Sequence, residues 1–403
     1  MPLINQLRLL RHWPFLPLRS RVEVLRDHWH GPVRNDASRE AVMAAVLRWL
    51  GEAQDHSRHG DGGFARHYSL IKGWASSYPE TTGYIIPTLL DIGEATSRDE
   101  LVERARRALD WLVGIQFPDG GFQGGLIDST PAVPVTFNTG QILLGLAAGA
   151  ARWPDRYQEP MVRAATWLRD SQEADGSWSR HPTPFAAPGH KVYETHVAWG
   201  LLEADRVAPG MGFGEAGLRN IRWALTRQRN NGWFDDCCLE EARVPLTHTI
   251  GYALRGIIAG WQHSGSDTML EAARRTAAAL ESTQRPDGAL PGRLDAQWQP
   301  TVEWSCMTGN VQVAECWALL AEAPGASPTW RNAARAAITF VRRSILLDAP
   351  AGMAGGVKGS WPVDGGYGRM QFLNWAAKFY LDAERALDRI GTGPDGGSSA
   401  PVR

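Results

Sequence analysis

The sequence predicts an all-α fold, an (α/α)6 toroid of six helical hairpins with inner and outer helix rings. Three features predict it: a glycine-turn template at a constant interval, an amphipathic stretch before each copy, and an apolar stretch after it. The template reads Gln116-Phe-Pro-Asp-Gly-Gly-Phe122, Gln172-Glu-Ala-Asp-Gly-Ser-Trp178, Gln228-Arg-Asn-Asn-Gly-Trp-Phe234 and Gln284-Arg-Pro-Asp-Gly-Ala-Leu290, so the glutamines stand 56 residues apart. Weaker copies at Gly60-Asp-Gly-Gly-Phe64 and Lys358-Gly-Ser-Trp361 bring the number to six.

The stretches before the template, such as Leu101 to Ile115 and Met161 to Ser171, place apolar residues at i, i+3, i+4 and i+7, the pattern of a helix with one buried face. The Asp-Gly or Asn-Gly step then stops the helix, because glycine accepts the left-handed conformation of a helix C-terminus. After a variable loop come the second helices: Thr81 to Ile92, Thr139 to Ala151, Thr195 to Ala204, Thr249 to Trp261, Thr308 to Ala321 and Asn374 to Leu387. Rich in Ala, Gly and Leu and poor in charge, they read as buried on most sides. Placing them in an inner ring and the amphipathic helices outside buries every apolar face. The large loops after the turns would cap one end of the ring, and the lack of polar capping repeats favours closure over an open solenoid.

Composition agrees. Of 403 residues 43% are hydrophobic and 21% charged, enough for a large core. The 42 basic and 43 acidic side chains give a net charge of -1, so no global field attracts nucleic acid. No run is long and apolar enough to span a membrane. Residues 1–38 read as an arm packing on or near the toroid, 39–390 as one toroid domain, and 391–403 as a disordered tail. The arm begins without a secretory pattern, and its Leu, Trp, Phe and Arg also suit peripheral contact with a membrane surface. Four cysteines, Cys237, Cys238, Cys306 and Cys316, are too few for a disulfide framework and suit a reducing, cytoplasmic location.

The repeated template resembles the repeats of the terpenoid cyclase and protein prenyltransferase toroid superfamily over nearly the whole chain. A second resemblance, to toroid proteins of bacterial polysaccharide biosynthesis, is carried by Ser77-Tyr-Pro-Glu-Thr-Thr-Gly-Tyr-Ile-Ile-Pro87, Met307-Thr-Gly-Asn310 and Gly359-Ser-Trp-Pro-Val-Asp-Gly-Gly-Tyr-Gly368. The first implies the fold, and the second implies a carbohydrate substrate. Fold alone does not set the chemistry.

Aligning the inner helices on Gly83, Gly140, Thr195, Gly251 and Gly309 puts Tyr84, Gln141, His196, Tyr252 and Asn310 at one level near the mouth of the ring. Asn374 and Trp375 stand there in the sixth repeat. Tyr78, Glu80, Tyr193, Glu194, His248, Glu303 and Trp304 come just before it, and Tyr367 lies in the last loop. Amides and aromatic faces around a pit suit the hydroxyl pairs and C–H faces of a sugar ring. Glu80 and Glu194 are the expected catalytic carboxyls. Glu80, between Tyr78 and Tyr84, occupies surroundings that would raise its pKa toward that of a working acid. His196 and His248 are the alternative bases for removing a proton from carbon, as a lyase or uronate C5-epimerase requires.

The expected function is therefore an enzyme acting on a bacterial polysaccharide or oligosaccharide, with glycoside hydrolysis first and lyase or epimerase chemistry beside it. An isoprenoid cyclase or prenyltransferase, and a non-catalytic glycan-binding scaffold, are the alternatives. No cofactor is expected. An alternative zinc set is Asp236, Cys237, His248 and Cys306, a donor set resembling that of protein prenyltransferases. The Asp-x-Asp-Asp acid of protonating terpene cyclases is absent from the sequence.

Overall fold

A computed structural model describes residues 13 and 16–391. The rest of the arm before residue 16, and the tail after Gly391, lie outside the described residues. Among those described there are thirteen α-helices and five short strands. Helix α1 (Leu18–His30) precedes the ring. The inner helices are α3 (Pro79–Ala95), α5 (Thr136–Arg152), α7 (Thr195–Val207), α9 (Thr247–Ser264), α11 (Met307–Ala321) and α13 (Asn374–Gly391). The outer ones are α2 (Arg39–Asp55), α4 (Asp99–Ile115), α6 (Pro154–Ser171), α8 (Phe213–Leu225), α10 (Asp267–Glu281) and α12 (Trp330–Ser344). Each inner helix packs on the next and the sixth packs on the first, so the fold is the α/α toroid expected from the sequence.

Local signals open the helices. Ser38 caps α2 by accepting from the Ala41 N–H, Pro79 occupies the first turn of α3, and Ser266 caps α10 through the Met269 N–H. Short connections run from each inner helix to the following outer helix. The long ones run from outer to inner helix, all at one end of the ring. They carry β1 (His67–Ser69), β2 (Gly73–Trp74), β3 (Ser305–Cys306), β4 (Ser360–Trp361) and β5 (Gln371–Leu373). Strand β1 pairs antiparallel with both β2 and β5, with Tyr68 opposite Phe372, and β3 pairs antiparallel with β4. The loops of the first and sixth repeats are thus joined across the seam.

The template works as a clasp between neighbouring repeats. The Gln116, Gln172 and Gln284 amides each donate to the carbonyl of their own turn glycine, Gly120, Gly176 or Gly288, and to a carbonyl of the next outer helix, Pro160, Ala216 or Ala333. Gln228 donates likewise to Ala272 O, and its second bond goes to the Thr276 hydroxyl. In the first repeat Gln54 takes this part, donating to Gly62 O and Arg104 O. The turn glycines have positive φ, 101° at Gly120 and 84° at Gly232, and lie so close to the next outer helix that a Cβ at Gly232 would stand 2.7 Å from Arg275 O. The sixth turn differs from expectation. Gly355 (φ 83°) takes the position, against Ala45 O of α2, whereas Lys358 to Trp361 lead into β4. No glutamine precedes it, and Trp49 Nε1 donates to Gly352 O in its place.

The hairpin that closes the ring comes from the two ends of the chain. Arg39 of α2 pairs with Glu384 (3.0 Å) and with Asp388 of α13, and Arg34 N–H and Asn35 Nδ2 reach carbonyls of Arg343 and Arg342 at the end of α12. Helix α1 lies against the last loop, where Lys358 Nζ is 2.6 Å from both Glu23 and Asp27 in a buried ion cluster.

Two glycines of similar φ separate the steric part of the clasp from the backbone part. Gly265 (φ 70°) has open space at its Cβ position. Gly265→Ala should cost about 1 kcal/mol of unfolding free energy, and Gly232→Ala about 3 kcal/mol, because it adds overlap with α10. Urea titration of the two variants measures the difference.

Candidate active site

The N-terminal ends of the inner helices and the long loops surround a cavity of ≈ 90 Å³. Its wall combines Tyr78, Glu80 and Tyr84 from the start of α3 and the residue before it, Phe137 of α5, Tyr193 of the 3-10 turn Val192–Glu194 before α7, His248, Thr249 and Tyr252 of α9, Tyr367 of the last loop, Trp375 of α13, and Arg66. Thr183, Phe185 and Leu239 of the long loops complete the lining. The Ala187 N–H donates to Leu239 O at 2.6 Å, which joins two of these loops.

Glu80 is enclosed on the wall. Its Oε2 accepts from the Tyr78 hydroxyl at 2.6 Å and from Asn138 Nδ2 at 3.2 Å. Burial pushes its carboxyl up to about 7, against the lowering effects of the Tyr78 hydrogen bond and the Arg66 charge. A proton on Oε1 would complete the group as an acid near neutrality. Arg66 lies over the rings of Trp375 (4.8 Å) and Tyr78 (5.7 Å), and among the described residues it forms no ion pair.

His248 stands on the same wall. Its Nδ1 is 2.6 Å from Oε1 of Gln312, an acceptor, so the proton sits on Nδ1 and the lone pair on Nε2. Burial depresses its pKa to about 4, opposed by the Gln312 bond, and the ring is neutral at ordinary pH. Tyr252 (4.4 Å) and Tyr367 (5.2 Å) pack on it.

Eight of the residues expected from the sequence thus share one wall: Tyr78, Glu80, Tyr84, Tyr193, His248, Tyr252, Tyr367 and Trp375. Seven others do not line it. His196 is fully buried below, its Nδ1 2.6 Å from Oε1 of Gln141, among Tyr252, Trp199 and Phe379; burial and the charges of Lys378 and Arg255 keep it neutral. Asn310 and Asn374 hold backbone, Asn310 through Leu290 N–H and Cys306 O, Asn374 through Ala65 O. Glu303 is exposed, and Trp304 packs on Gly292 and Gly366. Glu194 is buried behind the wall without a hydrogen bond to Oε2.

The error at Asn310 is one of register. Its Oδ1 accepts the N–H of Leu290, the bond that Thr82 and Thr139 accept from Phe64 and Phe122. Asn310 therefore corresponds to Thr82 and Thr139, and Gln312 stands at the level of Tyr84 and Gln141. Two residues turn a helix by about 200°. Arg66, Phe137, Asn138 and Gln312 were missed; Gln312 was findable only from this bond, whereas Arg66 follows the first template directly. The alternative zinc set is not brought together: among the described residues no three His, Cys, Asp or Glu side chains are placed to hold a metal. Cys237 donates to Thr249 O instead, and burial raises the Cys237 and Cys306 thiols.

No protein-family model and no curated protein matches the chain. Solved structures do. An unsaturated glucuronyl hydrolase specific for heparin superposes with a TM-score of 0.70 at 15% identity, covering 87% of this chain and 96% of that one. The unsaturated glucuronyl hydrolase of Bacillus sp. GL1 gives 0.67 at 15% identity over 88% and 97%. Cellobiose 2-epimerase of Bacillus thermoamylovorans gives 0.67 at 11% identity over 86% and 98%. These likenesses establish the fold. No helix among the described residues is long and apolar enough to cross a membrane.

Glu194 provides a test of burial. Its carboxyl, normally near 4.5, is pushed up to about 8 by desolvation, with Lys191 opposing. The folded state keeps the proton over a range in which the unfolded chain releases it, so stability falls as pH rises from about 4.5 to about 8. Glu194→Gln removes this dependence. Relative to the wild type the variant should be more stable at pH 8 than at pH 5 by on the order of 3 kcal/mol, measured by urea denaturation at both pH values.

Proposed function

We propose that the chain is a carbohydrate-active enzyme whose substrate enters the Glu80 cavity as part of a polysaccharide or oligosaccharide, with Glu80 as proton donor and His248 as base. The observation that carries the reading is the pair itself: a carboxyl protonated near neutrality and a neutral imidazole on one wall, among tyrosine and tryptophan faces suited to sugar C–H surfaces. The fold shared with glucuronyl hydrolases and sugar epimerases supports it. Arg66, the one cation on the wall among the described residues, suits an acidic sugar. The cavity holds about three waters as it stands, so its lining must shift to admit a sugar ring. The ring at 39–390 is the catalytic body in this reading, and the four buried thiols suit a cytoplasmic setting.

Hydrolysis uses the pair as follows. The Glu80 proton passes to the glycosidic oxygen as its bond to the anomeric carbon breaks. Water adds to that carbon, giving its proton to His248 Nε2. A second reading, lyase or epimerase chemistry, is favoured by one observation: Glu194 is off the wall, so the second group is an imidazole. His248 would then take a proton from carbon, and Glu80 would return one to the opposite face or to the leaving oxygen. The isoprenoid alternative fits less well, since ≈ 90 Å³ is far from the volume of a prenyl chain and Asp235 is engaged by Arg229.

Incubation with acidic and neutral oligosaccharides in D2O separates the chemistries. Hydrolysis adds one water to the mass, a lyase creates an absorbing C=C bond, and an epimerase exchanges one C–H for deuterium without further change. Glu80→Gln and His248→Asn should each lower kcat by about 10²–10⁴-fold with an unaltered circular-dichroism spectrum. The wild-type rate should rise as His248 loses its proton near pH 4 and fall as Glu80 loses its own near pH 7. Full activity in both variants would overturn the assignment.

A further inference from the structure

The ring has a second cavity at its other end. It occupies ≈ 560 Å³, is lined from all six inner helices, and meets the Glu80 cavity only at Tyr84. A layer of rings lies between the two: the Tyr84 hydroxyl is 3.4 Å from that of Tyr252, Phe379 packs on Tyr84 at 5.4 Å, and His196 fills the space beside them. This second cavity falls in the size range of small-molecule sites.

Its floor is charged. The Arg255 guanidinium lies over the Trp199 ring at 3.7 Å, and its Nε donates to Glu315 at 3.1 Å; the two side chains are only 11% and 10% exposed. Lys378, 4% exposed, pairs with Asp382 at 2.6 Å. At the rim Arg206, 46% exposed, pairs with Glu203 at 2.7 Å. Helix C-termini favour cations within their last turn, which accounts for Arg206. It does not account for Arg255, the ninth residue of α9, or for Lys378, the fifth of α13.

Not every donor on this floor is satisfied. A guanidinium carries five N–H groups and an ammonium three. Asp382 already accepts from Thr88 as well as Lys378, and Arg255 Nη1 is buried with no hydrogen-bond partner among the described residues. A buried charge left short of partners is costly.

We propose that this cavity binds a small anionic molecule of monosaccharide to disaccharide size, whose carboxylate or phosphate completes the hydrogen bonding of Arg255 Nη1 and Lys378, with Arg206 reaching it from the rim. An oxyanion meets the planar guanidinium edge through two parallel bonds, and the lysine supplies a point charge beside it. The site lies away from Glu80 and His248, so it stands or falls independently of the reaction assigned to them.

Calorimetric titration of the full-length protein at low ionic strength with glucose 6-phosphate, glucuronate and glucose tests it. At least one of the two anionic sugars should bind about tenfold more tightly than glucose, and which one does distinguishes phosphate from carboxylate. Arg255→Met should weaken that binding about tenfold or more. Because Arg255 also neutralises Glu315, a second variant is needed. Arg206→Ala, at the rim, should weaken binding about threefold without disturbing the fold. Equal affinity for glucose, no binding of either anion at ~10 mM, or unchanged affinity in both variants would overturn the proposal. So would an affinity lost in Arg66→Ala and kept in Arg255→Met, which would put the anion in the upper cavity.

Discussion

The close approach of each turn glycine to the next outer helix is the constraint on which the rest of the structure depends. A side chain at Gly120, Gly176, Gly232 or Gly288 would push a Cβ into a backbone carbonyl of the neighbouring repeat, and the glutamine before the turn binds that same neighbour. Both features act between repeats. The template therefore sets the angle and distance at which one hairpin meets the next, and six such steps bring the chain back to its start. Once the outer ring is fixed, the inner helices have little freedom, and Gly145, Gly200 and Gly256 let them pack backbone against backbone.

That dependence explains what was legible in the sequence. The glutamine, the acidic or amide residue and the glycine must recur because one physical contact recurs, so the toroid could be read from spacing alone. The sixth turn was misplaced at Lys358 because Trp49, not a template glutamine, ties it down. The site was partly legible: the residues next to the helix starts, Tyr78, Glu80, His248 and Trp375, reach the cavity because every inner helix begins at the same end. What spacing cannot supply is helix rotation. Asn310 and Gln312 are both amides in one apolar helix, and only the bond from Leu290 shows which of them turns inward.

Helix rotation also decides the chemistry. Glu80 and Glu194 both stand at the start of inner helices, yet one faces the cavity and the other the packing behind it. Both carboxyls are raised by burial, so a shifted pKa alone does not separate a reactive acid from an enclosed one. Position on the wall does. The two histidines follow the same logic. Each is oriented by a glutamine, but His196 is enclosed in the partition between the cavities and His248 opens onto one of them.

The closing hairpin joins helices from opposite ends of the chain, and this has a consequence for synthesis. Helix α2 is complete when residue 55 has been made, but Arg39 and Trp49 meet their partners on α13 and in the last loop only after roughly 300 further residues. At about 5–20 residues per second that interval is roughly 15–60 s. During it the seam side of α2 is unpaired, and an open arc of hairpins is exposed at both edges. A nascent chain of this design needs those edges shielded until α13 leaves the ribosome.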